Sequence, residues 1–324
     1  MIEGYWGVYF IEFLSLFFHR MAHFMMGDLP LSELAIDEIQ IFTLILVGIS
    51  SAVLGSFLLL RKMAMLANSI SHTILLGIVG AILFTRHFFT PADELPILDF
   101  KMLLLASLLT SILTVLLTDL LTRTFRVSRD ASIGIVFTFL FAVGVVLVTV
   151  FTRNSHAGTE VVMGNIDMLT LEDLKLAFYV ALGNVSLVMF FYKEYKSIAF
   201  DEQFARLSGI SSFAFTYLLM LQTSATIVAS LRVVGVVLIL SQIVLPVLAA
   251  RLWTKRLLHM ICLASAIALV TGILSVALSR HCLSAYQMPL STAGLSVLCN
   301  LLVWTAAALT SPSKGILKLR FFHR

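Results

Sequence analysis

Nine stretches of roughly twenty apolar residues, separated by short charged loops, leave this chain little choice of fold. A bilayer core about 30 Å thick takes about 20 helical residues to cross. Runs of that length recur at 41–60, 65–84, 102–122, 131–151, 174–191, 213–230, 233–252, 257–279 and 290–309. Lipid offers no partner to an open backbone amide, so each run reads as a helix. With 60% hydrophobic and only 12% charged residues, 324 residues could not furnish the polar surface of a water-soluble domain. The sequence predicts an all-α polytopic integral membrane protein with eight or nine transmembrane helices.

Lys and Arg set the direction of crossing. If the amino end of the first run faces outward, the inner loops carry Arg61 and Lys62, then Arg123, Arg126 and Arg129. Further inner loops hold Lys193, Lys196 and Arg206, and Arg251, Lys255 and Arg256. The tail adds Lys314, Lys318, Arg320 and Arg324, which puts fifteen of the 22 basic residues on one side. The opposite loops are poor in them, and one carries Asp93, Glu94 and Asp99. Three segments follow: a membrane domain at 41–310, a basic cytoplasmic tail at 311–324, and an amino-terminal segment at 1–40. Within that last segment, Glu12, His19, Arg20 and His23 interrupt a Phe- and Met-rich run. A charge at the bilayer centre costs at least ~2.5–3.5 kcal/mol, so this segment is expected to lie in the interface as an amphipathic helix. Glu3 leads it and no basic stretch precedes it, which is not the pattern of a cleaved signal peptide.

Several function classes drop out. The net charge of +4 comes from residues placed where membrane insertion wants them, so no nucleic-acid partner is implied. Cys262, Cys282 and Cys299 form no C-x-x-C pair and read as small apolar residues. The chain has no Walker A loop, no H-E-x-x-H and no G-x-S-x-G, so it reads as no enzyme, and any uphill work must come from a gradient or a partner.

The polar residues within the runs are more informative. Asn68 and His72 stand at i and i+4 on one helix face, and His72 lies about 15 Å past Arg61, near mid-membrane. Imidazole is a good ligand for transition-metal ions and Asn offers a weaker carbonyl oxygen. A neutral core histidine bonded to Ser69 or Ser71 is the alternative, and the residues alone leave both open. Phe200–Ile210, in an inner loop, reads as a short helix with Asp201 as its cap and Gly209 ending it in a left-handed turn. Phe204 and Leu207 give that helix an apolar edge. Asp130 reads as the N-cap of the fourth run. Ser241 and Gln242 ahead of Pro246 read as a bent helix that faces either a cavity or a neighbour. Gly48, Ser51 and Gly55 offer a close-packing face. His87, His156 and Glu160 fall in outer loops.

Five blocks, in order, resemble the ABC-3 family of permeases, which serve manganese, zinc and iron ABC importers. They are GSFLLLRKMAMLANSISHTILLG, DASIGIVFTFLFAVGV, FDEQFARLSGI, VVGVVLILSQIVLPVLAARL and a late P-x-S-x-x-G at 289–294. The resemblance implies a type II importer-like permease in a bacterial inner membrane, passing Mn, Fe or Zn and holding no permanent cofactor. It implies three protein partners: a separate ATP-binding subunit, a second permease subunit and an extracytoplasmic metal-binding protein. Asn68 and His72 fall on the family's D-x-x-x-H metal motif, with the aspartate replaced by a neutral amide. That replacement favours pairing with a different permease over a homodimer. Asp201, Glu202, Phe204, Ala205, Leu207 and Gly209 fall on the helix that docks on the ATPase, and Gly164 and Asn165 on an outer-loop turn. The rival is a gradient-driven metal transporter or channel. It would want more carboxylates within the runs than Asp119 alone.

Overall fold

The computed structural model describes residues 5, 7–27, 30, 33–88, 100–152 and 166–311. Gly164, Asn165, His156, Glu160, the 93–99 carboxylates and the basic tail lie outside these, as does the His87 side chain. The described residues are helical almost throughout: α1 Phe10–Met26, α2 Ile36–Leu60, α3 Ala64–Phe88, α4 Phe100–Thr124, α5 Arg129–Thr152 and α6 Leu171–Phe190. After these come α7 Tyr192–Phe200, α8 Glu202–Leu207, α9 Ser212–Val234, α10 Val236–Trp253, α11 Leu257–Tyr286 and α12 Thr292–Thr310. Among the described residues nine helices, α2–α6 and α9–α12, are long and apolar enough to cross a membrane. They coincide with the nine runs in the sequence.

The chain divides into two compact units. One holds residues 1–56, 165–189 and 233–324. In it α10, α11 and α12 pack on one another and α1 packs on α11. Close approach is obtained with small residues. A Cβ built on Gly48 would lie 2.9 Å from the Cβ of Ala268, and one on Gly55 only 2.1 Å from the backbone oxygen of Ile243. Pro246 sits inside α10. One turn earlier, the fully buried Gln242 donates its Nε2 to Ser296 Oγ on α12 at 3.3 Å. Thr271 donates to Asn300 Oδ1 at 2.8 Å, and Asn300 Nδ2 donates to Ser241 Oγ at 3.4 Å. Ser241 and Gln242 thus both bond side chains of α12.

Helix α2 starts at Ile36, five residues ahead of the 41–60 run. Asp37 and Glu38 look like loop residues in the sequence, yet each is only 3% exposed. Glu38 Oε2 accepts from the Ala35 amide at 2.8 Å, one half of a capping box. Its Oε1 accepts from Tyr5 at 2.7 Å and from Arg20 Nε at 2.5 Å. Burial, with the Glu38 carboxylate alongside, pushes the Tyr5 phenol well above its ordinary pKa, so it stays a donor. Asp37 pairs with Arg280 at 2.5 Å, near the end of α11.

The second unit holds residues 57–164 and 190–232, with α3, α4 and α5 packed on one another. Along α4 the hydroxyls of Thr110, Thr114, Thr118 and Thr122 each donate to the carbonyl four residues back, at 2.7–2.9 Å. Thr114 also meets Thr73 Oγ1 of α3 at 2.9 Å. Asp130 lies in the first turn of α5 and not at its cap. The helix starts two residues sooner, at Arg129, with the Ser128 carbonyl accepting from the Ser132 amide. It still suits the positive end of the helix dipole there.

Replacing Gly55 by Val should lower stability by about 1–3 kcal/mol, because a backbone carbonyl cannot swing aside as a side chain can. Gly134→Ala, where nothing lies within 4 Å, should be near neutral. Thermal unfolding of both variants in detergent checks this; equal melting temperatures would refute the close approach of α2 to α10.

Candidate functional site

From Leu66 to Ile74 every side chain of α3 is at most 1% exposed, apart from Asn68 and His72, which are half-buried. The i, i+4 spacing puts both on the single face that this stretch leaves open. His72 starts about 12 Å along the helix from Ala64 at 1.5 Å per residue, within the span Ala64–Thr85. Its ring lies against Phe137 at 5.5 Å and edge-on to Phe141 at 5.9 Å, both on α5. Those two phenyl rings stack on each other at 5.8 Å. The serines that might have satisfied the imidazole do not. Ser71 donates to the Ala67 carbonyl at 2.9 Å, and Ser69 Oγ is buried without a partner among the described residues. An oriented imidazole and a carboxamide oxygen on one open face can act as a two-donor site for a divalent ion. Among the described residues no group of three His, Cys, Asp or Glu is placed to complete such a site.

The Asp201–Gly209 block folds for reasons legible residue by residue. Asp201 Oδ1 accepts from the amides of Gln203 at 2.9 Å and Phe204 at 3.0 Å, capping α8. Ala205 is fully buried, a position where only a small side chain fits beneath a six-residue helix. The Gly209 amide donates to the Arg206 carbonyl at 3.1 Å and the Ile210 amide to that of Ala205 at 3.0 Å. That pair of bonds is a Schellman motif, with Gly209 at φ +78° as its left-handed residue. The other face of the helix is open: Phe204 is 60% exposed and Leu207 88%. Phe200, which the sequence does not single out, joins them at 61%. Helix α7 anchors the block through Tyr195, whose hydroxyl donates to Gln222 Oε1 of α9 at 2.7 Å and whose ring meets Phe57 and Phe215.

The chain belongs to the ABC 3 transport family, whose model matches residues 38–311. It is 36% identical over 317 residues to a Chlamydia pneumoniae protein named "Probable metal transport system membrane protein", covering 98% of this chain and 95% of that one. It is also 36% identical over 301 residues to the manganese transport system membrane protein MntD of Bacillus subtilis, covering 86% and 94%. Among solved structures, PsaBC from Streptococcus pneumoniae in complex with Fab superimposes with a TM-score of 0.71 at 23% identity, covering 93% of this chain and 99% of that one. An inward-facing metal-chelate type ABC transporter gives 0.61 at 14% identity, covering 83% and 84%. These two share its fold.

Asp201→Ala should cost α8 about 1 kcal/mol of local stability through loss of the cap. Hydrogen exchange at the 203–207 amides should speed up correspondingly, while exchange in α9 stays unchanged. Equal rates in α8 would mean that the cap is not what holds this helix.

Proposed function

We propose that the chain is the membrane-spanning permease subunit of an ATP-binding-cassette importer for divalent transition-metal ions. The observation that carries this is the Asn68–His72 face, the single opening in an otherwise buried stretch of a helix from a metal-transport family. Manganese is the cargo that most of the named relatives suggest, with iron and zinc as the other candidates. The open apolar edge of α8 supports its reading as the docking element for a separate ATP-hydrolysing subunit. An extracytoplasmic binding protein would deliver the ion from the side opposite the basic loops. The protein then sits in the bacterial inner membrane with its carboxyl terminus in the cytoplasm and α1 in the interface.

Asn68 shapes the rest of the reading. A neutral amide contributes no anionic oxygen, in surroundings where a charge counts most. One imidazole and one amide leave most of an ion's coordination to water and to a second subunit. A different permease that keeps the carboxylate fits this better than a second copy of this chain.

The test is ATP-dependent uptake of Mn, Fe and Zn ions into proteoliposomes containing the chain, its ATPase and its second permease. His72→Ala should abolish uptake while the ATPase still co-purifies. Phe204→Asp should weaken ATPase association and leave metal binding intact. Asn68→Asp should tighten Mn binding and slow its release. Uptake that requires a proton or sodium gradient but no ATPase would overturn the importer reading in favour of a secondary transporter.

A further inference from the structure

Helix α2 gives way to α3 through a second Schellman turn. The Lys62 amide donates to the Leu59 carbonyl at 3.2 Å and the Met63 amide to that of Leu58 at 2.8 Å. Lys62 holds φ 55°, a left-handed conformation uncommon for a residue with a Cβ, and Met63 is fully buried. The turn is therefore tightly specified. The residue that opens it, Arg61, looks in the sequence like one more inner-loop charge, yet its side chain is only 6% exposed.

A buried guanidinium needs partners. Arg61 has two, from two other helices. One terminal nitrogen donates to Thr216 Oγ1 of α9 at 2.5 Å, and the other lies 3.6 Å from Glu202 Oε2 of α8. Glu202 offers its other oxygen to Arg206 at 2.5 Å, so its carboxylate is held at both ends. Burial pulls the Arg61 pKa below the ordinary guanidinium value, with Glu202 opposing the fall and Arg129 adding to it. Two other charged side chains of the block bond locally: Asp201 accepts from the Gln203 and Phe204 amides, and Arg206 bonds Glu202. The Glu202 contact with Arg61 is what leads out of α8 toward the start of α3.

We propose that Arg61 is a positioning residue for transport, fastening the docking helix α8 to the helix that carries Asn68 and His72, so that displacement of α8 carries α3 with it. This rests on the reading of α8 as the ATPase-docking element and of the Asn68–His72 face as the metal site. The lever is short: α3 begins three residues beyond Arg61, and the connecting turn has little freedom to absorb motion.

The experiment uses the complete complex in proteoliposomes and reads Mn ions carried per ATP hydrolysed. Arg61→Gln should assemble with the ATPase and hydrolyse ATP as the wild type does, while Mn carried per ATP falls about tenfold. Arg61→Lys should recover part of the ratio, since it keeps the charge beside Glu202 without the fork that reaches Thr216 at the same time. Glu202→Gln should give a similar fall, and the double variant should fall no further. An unchanged ratio in Arg61→Gln, or losses that add in the double variant, would overturn the proposal and leave the importer reading intact. If Arg61→Gln does not fold, Glu202→Gln decides alone, because its carboxylate is 40% exposed and tolerates replacement; an unchanged ratio there overturns the proposal. Wild-type uptake that needs no ATP would bring down the importer reading first, before any variant is compared.

Discussion

Lipid cannot hydrogen-bond, and most of the polar pairing within the spans answers to that fact. Backbone amides are satisfied by helices. Many hydroxyls are satisfied by the same helices: Ser56, Ser71, Thr223 and Thr226 each donate to a carbonyl four residues back, as does the threonine series of α4. Thr43, Ser51, Ser69, Ser132 and Ser224 have no partner among the described residues. Amides have no such local partner and reach across. Gln242 bonds Ser296, Asn300 bonds Thr271 and Ser241, and Asn184 of α6 donates to Ser50 of α2 at 2.7 Å. Pro246 is tolerated in α10 where side chains from α11 and α12 form this polar seam. Asn68 and His72 differ from their neighbours on α3 in being half-buried, with the His72 ring against Phe137 and Phe141.

Charged side chains follow the same rule by a different route. Among the described residues the ion pairs cluster at helix ends: Asp37 with Arg280, Glu38 with Arg20, Asp119 with Arg123, and Glu202 with Arg206 and Arg61. Ends are where a carboxylate can be hydrated, capped or paired before the cost of burial dominates. Tyr217 illustrates the margin, donating to Asp119 at 3.0 Å from the next helix in. The consequence for transport is that a cation crossing the spans would meet fixed charge at the ends and neutral donors between them.

The nine crossings were legible because length and apolarity leave no second solution. The short helix α8 is legible for a stronger reason, since Asp201 caps it and Gly209 ends it in a left-handed turn, each a residue type suited to that position. Other features escaped because their signal is a partner far away in sequence. Asp37 and Glu38 mark the start of α2 only when Arg280, Arg20 and Tyr5 are in place, so the helix start was read too late. Thr271, Ser296 and Asn300 sit in apolar runs without any local pattern, and only Gln242, beside a proline, drew notice. Arg61 differs in kind from what its position suggests: positive charge at an inner loop is the default expectation for membrane insertion, and nothing local in the sequence says that this guanidinium is buried.

The neutrality of the Asn68–His72 face has a thermodynamic logic that bears on how such a subunit can work. An ion bound by several carboxylates in low dielectric would be held too tightly to leave, and a pathway must be favourable enough to enter and weak enough to exit. On the proposed reading, with one imidazole and one amide, the strength of the site would be set by what else approaches it, whether a second subunit, water or the motion of α3 itself. Affinity then becomes a property of the assembled state instead of a fixed property of the chain. On that reading, the connection from α8 to α3 is what would let a distant nucleotide event change that state, because the buried stretch from Leu66 to Ile74 ties Asn68 and His72 to the motion of the helix as a whole.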